Sequence, residues 1–253
     1  MLNIFSLIYF IWILLAVVLF FIVYYIFKDK SKEFQFKLLV GFTILTWVLH
    51  FLRFWLDPDM KTFELFFVDF CGFNTMMLPF LLLSRKQVAY DIMYLCGSFF
   101  ALHSLIYPNN IEGNPILYYD TIRFFFAHFL LVGILLWMIM WGMYKPSVKS
   151  VKWATLYLAI GAMYNIGLTA IFVETGLRTT LVNYMGLWGN DVSVYNYAEK
   201  LAPFFRYDSI VDGVVVNKPI PFLYMLPSLL FVYVPLWILM TIPFSKKIKV
   251  KNL

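Results

Sequence analysis

The stretch FELFFVDFCGFNTMMLPFLLLSRK, residues 63–86, decides how the rest of the chain is read. It is long and apolar enough to cross a bilayer, and Arg85 and Lys86 close it. Its first half nevertheless carries Glu64, Asp69, Cys71, Asn74 and Thr75, groups that hydrocarbon should exclude. Polar and ionisable residues inside a spanning segment are costly, so they face a bundle interior or a cavity and mark function. On one continuous helix, residues 64, 68, 71 and 75 share a face, with Asn74 beside them. A thiol flanked by acceptors on one buried stripe is a candidate reactive centre.

Composition sets the class. Hydrophobic residues make up 62% of the 253, and the mean hydropathy is +0.80. Soluble domains sit nearer half apolar, so this is an integral membrane protein with acyl chains solvating much of its surface. The formal charge of +6 belongs to loops that hold orientation, which excludes a nucleic-acid partner. Two cysteines inside apolar runs make neither a disulfide framework nor a metal site, and no cofactor is expected. The apolar run 3–27 has no basic region before it and exceeds a signal-peptide core, so it reads as a retained helix.

Runs of about 20 apolar residues predict seven transmembrane helices, near 3–27, 38–56, 64–84, 88–107, 121–144, 153–174 and 219–244. The expected fold is all-α, a polytopic helical bundle forming one membrane domain over 1–253. A long polar and aromatic loop, 175–218, precedes the last helix. The loops after helices one, three and five, with the tail, hold 13 of the 20 Lys and Arg. Basic residues in short loops stay cytoplasmic, so the N-terminus is expected outside and the C-terminus in the cytoplasm.

Depth brings the chemistry together. Helix three enters from outside, placing Cys71 about 10 Å below Glu64 at 1.5 Å per residue. Helix five enters likewise, and His128 lies about 10 Å below Thr121. His50 and His103 sit near the outer ends of helices two and four. Asn165 is near the middle of helix six on a stripe with Gly161 and Thr169, small residues that allow close helix approach. A cysteine attacks as its thiolate, and a histidine can take the proton and return it to a leaving group. Asn165 could orient the imidazole or donate to an oxyanion. Against this, a buried Cys is more often a small hydrophobe than a nucleophile.

Other groups have blander readings. Cys96 and His103 share a face of helix four two turns apart and read as packing. His50 and Arg53 share a face at the outer interface, to meet a lipid headgroup or to snorkel. Three roles stay open for Asp69: a second cavity wall, a partner of Arg123, or a protonated acid.

Four runs carry a resemblance: DFCGFNTMMLPFLLLSRK, ALHSLIYPNN, IRFFFAHFLLVG and YNIGLTAIF. They resemble the YwaF-like family of bacterial membrane proteins at Cys71, Pro79, Arg85, Pro108, Phe124, His128 and Asn165, over roughly residues 40–175. Phe67 and Asp69 stand where that family often has Pro and His. The 57-residue step from Cys71 to His128 resembles that of the family's animal relatives, polytopic phospholipid acyltransferases with a catalytic Cys–His pair. The resemblance implies a lipid acyltransferase, transacylase or lipase-like enzyme at the outer leaflet of a bacterial cell membrane. Cys71 and His128 would be catalytic there, with Asn165 in support and a phospholipid or lysophospholipid as substrate. The polar residues of the apolar segments add Asn74, Asp69, His50 and Arg53 as further supporting candidates. The alternative is a non-enzymatic transporter, sensor or scaffold subunit that binds a ligand or protein partner through loop 175–218.

Overall fold

Two serines set where the first helices begin. Ser6 Oγ accepts the Tyr9 N–H at 3.3 Å and caps α1, Leu7–Phe27. Ser31 Oγ accepts the Phe34 N–H at 3.3 Å and caps α2, Lys32–Phe51, whose first turn carries Glu33. A capping hydroxyl satisfies one of a helix's orphan N–H groups, and a first-turn acid suits the helix dipole. Helix two therefore opens six residues before the apolar run at 38 and draws the polar connector into itself.

The computed structural model describes residues 2–3, 5–57, 60, 62–67, 69–106, 108, 111–177, 206–211, 214–219 and 229–245. After α2 come α3 (Arg53–Leu56), a 3-10 turn (Thr62–Leu65), α4 (Phe70–Leu83) and α5 (Gln87–Ile92). A π turn (Met93–Ser98) leads into α6 (Phe99–Ile106), followed by α7 (Tyr119–Met140). A 3-10 turn (Val148–Ser150) then opens α8 (Val151–Glu174), and strands β1 (Arg206–Val211) and β2 (Val214–Pro219) come next. A second π turn (Leu229–Tyr233) and α9 (Val234–Ser245) complete the order.

This is a polytopic α-helical membrane protein. Among the described residues, four helical stretches are long and apolar enough to cross a bilayer: Leu7–Phe27, Lys32–Leu56, Gln87–Ile106 and Tyr119–Met140. Phe70–Leu83 and Phe231–Phe244 are shorter apolar helices.

The chain divides into two compact units. Residues 1–67 and 71–146 form the first; residues 68–70 and 147–253 form the second. In the first, α7 is the hub, packing on α1, α2, α6 and the π turn of 93–98. Trp137 of α7 is fully buried; its ring stacks on Phe20 of α1 at 5.3 Å and its indole N–H donates to Phe20 O at 3.0 Å. Buried indoles need such an acceptor, and here it locks α1 to α7. Trp12 stacks on Phe125 at 5.2 Å, and Tyr9 Oη donates to Leu105 O at 2.7 Å. In the second unit α8 packs with α9, and Phe70 meets the Tyr157 ring at 6.2 Å.

Four sequence expectations change here. Helix three does not run from 64: Glu64 lies in the 3-10 turn and α4 starts at Phe70. Glu64 is pulled away because Arg53 holds its carboxylate at 2.8 Å. Residue 64 thus leaves the shared face, and Cys71 lies in the first turn of α4 rather than two turns into a continuous helix.

Helix five ends at Met140, not 144. Gly142 has φ +68°, its N–H donates to Ile139 O at 3.0 Å, and the Met143 N–H donates to Met138 O at 2.8 Å. That pair of bonds around a left-handed residue is a Schellman stop. A Cβ at Gly142 would meet open space, so only backbone strain opposes one. Gly142→Ala should cost about 1 kcal/mol, read as a lower melting temperature in detergent. An unchanged melting temperature would mean the turn relaxes without cost.

Cys96 and His103 do not share a face. Seven residues of plain α-helix return to within about 20° of the starting direction. The π turn at 93–98 inserts an extra residue and rotates the later residues by about 100°. Cys96 is fully buried, whereas His103 is exposed.

The last helix does not begin at 219, since Pro219 ends β2. The antiparallel pairing of Val211 with Val214 leaves two residues, Asp212 and Gly213, to connect the strands. An Asp-Gly dipeptide between β-branched runs is a hairpin signal that a search for apolar helices passes over.

Asp91 lies fully buried in α5, accepting from Tyr144 Oη at 2.5 Å and from Gln87 Nε2 at 3.1 Å. Burial first, and then the bond to Asp91, holds the Tyr144 phenol above its ordinary range. Tyr144→Phe removes a donor from a buried carboxylate and should cost about 2 kcal/mol in thermal unfolding. Stability equal to wild type would show that water replaces the phenol.

Candidate functional site

The site is built from α4 outward. Cys71 is the second residue of α4, and its side chain is half-buried. One turn on, Thr75 Oγ1 donates back to Cys71 O at 2.9 Å. Trp47 of α2 donates its indole N–H to Thr75 O at 2.8 Å. These two bonds fix the opening turn of α4 against α2. Asn74 is buried in the same turn, 4% exposed. The Cys71 sulfur lies 3.5 Å from Ser104 Oγ of α6.

His128 is the tenth residue of α7 and is buried. Its Nδ1 is 2.8 Å from Phe124 O, and its ring lies 4.1 Å from the Phe124 ring. A carbonyl can only accept, so Nδ1 carries the hydrogen, and in the neutral ring Nε2 presents its lone pair. That tautomer is the one a general base needs. α6, which carries Ser104 to the thiol, packs along α7, which carries His128.

His50 and Arg53 are not turned to solvent. His50 is buried; its Nε2–H donates to Leu65 O at 3.0 Å and its ring stacks on Phe67 at 4.1 Å. Arg53 lies 3.3 Å from Asp57, 2.8 Å from Glu64 and 3.3 Å from Asp120. Asp120 also takes Arg123 at 2.7 Å, and Tyr118 donates to Asp57. Arg53 is only 13% exposed, and three carboxylates hold it in place, in contrast to snorkelling, one of the two roles the sequence left open for it. Together His50 and Arg53 secure residues 64–67, which lead directly into the helix of Cys71.

Asp69 is half-buried in the short 68–70 piece of the second unit. Arg123, one partner envisaged for it, is bound to Asp120. Asn165 is buried in α8 of the second unit, 1% exposed. Most of loop 175–218, the proposed docking segment, lies outside the described residues.

Two features escape the sequence reading. Ser104 sits in ALHSLIYP, where a serine in an apolar helix reads as bonded to its own backbone until its neighbour is known. The Arg53 network needs the 3-10 turn and α7 to arrive at α3 together. In sequence these charges lie scattered over residues 53–123, and nothing in their spacing joins them into one cluster.

No curated protein and no solved structure matches this chain. One family model does, over residues 2–241. The match spans both units and takes in the thiol, the histidine and the buried amide, so that the chain belongs to the TMEM164 family, a family of membrane proteins.

Proposed function

We propose that this protein is a seven-span membrane enzyme that exchanges acyl chains between lipids at the outer leaflet, through a thioester on Cys71. The observation that carries the reading is a half-buried thiol in the same unit as a histidine whose Nδ1–H is already committed to a carbonyl. The resemblance of the Cys71, Pro79, His128 and Asn165 motifs to YwaF-like proteins and their acyltransferase relatives supports it. The distribution of Lys and Arg supports an outside N-terminus, and the resemblance supports a bacterial cell membrane.

The steps balance without a cofactor. His128 Nε2 takes the Cys71 proton, and the thiolate attacks the ester carbonyl of a donor phospholipid. A carbon–sulfur bond forms, the carbon–oxygen ester bond breaks, and the departing lysolipid oxygen receives the proton from His128. The hydroxyl of an acceptor lysolipid then gives its proton to His128 and attacks the thioester. Its ester bond forms, the carbon–sulfur bond breaks, and the leaving thiolate is reprotonated. Burial in lipid suits this exchange, because water competes poorly for the thioester.

The test is capture of the intermediate. Purified protein in vesicles is incubated with phospholipid carrying a radiolabelled acyl chain, then denatured. Label on the protein that neutral hydroxylamine releases, and that Cys71→Ala lacks, is the expected result. Protein that stays unlabelled while lipid acyl chains exchange would sink the thioester route.

A further inference from the structure

We infer that Ser104 is a thiol-activating residue: its hydroxyl donates a hydrogen bond to the Cys71 sulfur and stabilises the thiolate. The first support is what this hydroxyl does not do. Helical Ser and Thr in apolar surroundings satisfy their hydroxyls on a carbonyl three or four residues back. Thr43, Thr46, Thr75, Thr155 and Thr241 all do so. Ser104 departs from that pattern. Among the described residues its hydroxyl has one hydrogen-bonding contact, the Cys71 sulfur at 3.5 Å. Sulfur is larger than oxygen, so this separation is within hydrogen-bond reach.

The second support is how α6 is aimed. The π turn Met93–Ser98 rotates every later residue of that segment by about 100° relative to a plain helix. Such insertions are uncommon and cluster at functional sites. Ser98, its last residue, donates to Leu131 O of α7 at 3.3 Å, which fastens α6 in its rotated phase. The same rotation turns His103 outward and leaves Ser104 on the thiol. On the other side, Thr75 holds the Cys71 carbonyl, so the sulfur meets Ser104 from a fixed backbone.

A thiol can donate to the serine oxygen, but a thiolate can only accept. When the proton leaves, the hydroxyl turns to donate, and hydrogen bonds to charged groups are about twice as strong as neutral ones. Ser104 thus favours the charged form that attacks.

The inference rests on Cys71 being the nucleophile, but its test does not need acyl transfer. In a Cys96→Ala background, the rate of Cys71 alkylation by iodoacetamide is measured against pH in detergent micelles, for Ser104, Ser104→Ala and Ser104→Thr. Ser104→Ala is expected to move the midpoint of the profile up by about one pH unit, a tenfold slower reaction below the midpoint. Ser104→Thr, which keeps the hydroxyl, should restore the wild-type midpoint. A folded Ser104→Ala protein with an unmoved midpoint overturns the inference, as does a shift that threonine fails to rescue. If the midpoint moves as expected while no acyl label appears on Cys71, the role of Ser104 stands and acyl transfer falls.

Discussion

Cys71→Ser should lower lipid acyl exchange in reconstituted vesicles at least about a thousandfold, and His128→Ala should do nearly as much harm. A serine hydroxyl is a far poorer nucleophile in an apolar site, since its proton leaves much less readily than that of a thiol. On the proposed mechanism, His128→Ala removes the acceptor for that proton and also the acid that protonates the leaving lysolipid oxygen. In the proposed mechanism the two residues act as one device, so the double variant should be about as inactive as either single one. Exchange measured as acyl movement from labelled phospholipid to lysolipid would show this directly. Two variants whose losses multiply would mean that thiol and imidazole act independently. Full activity in Cys71→Ser would remove the thioester altogether.

Arg53→Ala should be the most damaging substitution outside the proposed chemistry, costing about 3 kcal/mol or preventing insertion. Arg53 is the only cation that touches Asp57, Glu64 and Asp120 together among the described ion pairs. Asp57 and Asp120 are buried enough that water cannot readily replace it. Truncation leaves three carboxylates near one another without the cation they share, with Arg123 still on Asp120 and the Tyr118 hydroxyl still on Asp57. Breaking a buried pair from one side strands the other charge, a larger penalty than the pair's net worth. The loss should appear in thermal unfolding in detergent. A second consequence is local: freed from Arg53, the 62–65 turn should no longer hold the approach to α4, and protease should cut there first. A variant as stable as wild type would show that the cluster is solvated.

Much of the architecture can be read from residue order alone. Each apolar run marks a helix because hydrocarbon offers no partner for backbone polar groups, so a spanning segment must bond to itself. That constraint is local, and it makes runs such as 3–27 and 121–144 legible. The errors fall where a second element intervenes. Glu64 sits in an apolar stretch and reads as helical until Arg53 claims it. Residues 141–144 continue the apolar run, yet Gly142 takes a left-handed conformation and stops α7. Residues 206–219 lack helical length, and their hairpin needed a different period to be seen.

The candidate site divides the same way. Cys71, His128 and Asn165 stand out in sequence because ionisable or reactive groups in apolar segments are costly and few. The sequence also dictates membrane class, because composition alone decides which solvent can bathe the surface. Tertiary structure decided the rest: that Arg53 is bound rather than snorkelling, that His128 carries its hydrogen on Nδ1, and that Ser104 rather than His103 faces the thiol. Each depends on angles accumulated along a helix or on atoms from another element. One inserted residue in a π turn is enough to exchange which neighbour meets the sulfur, and no local propensity records that rotation.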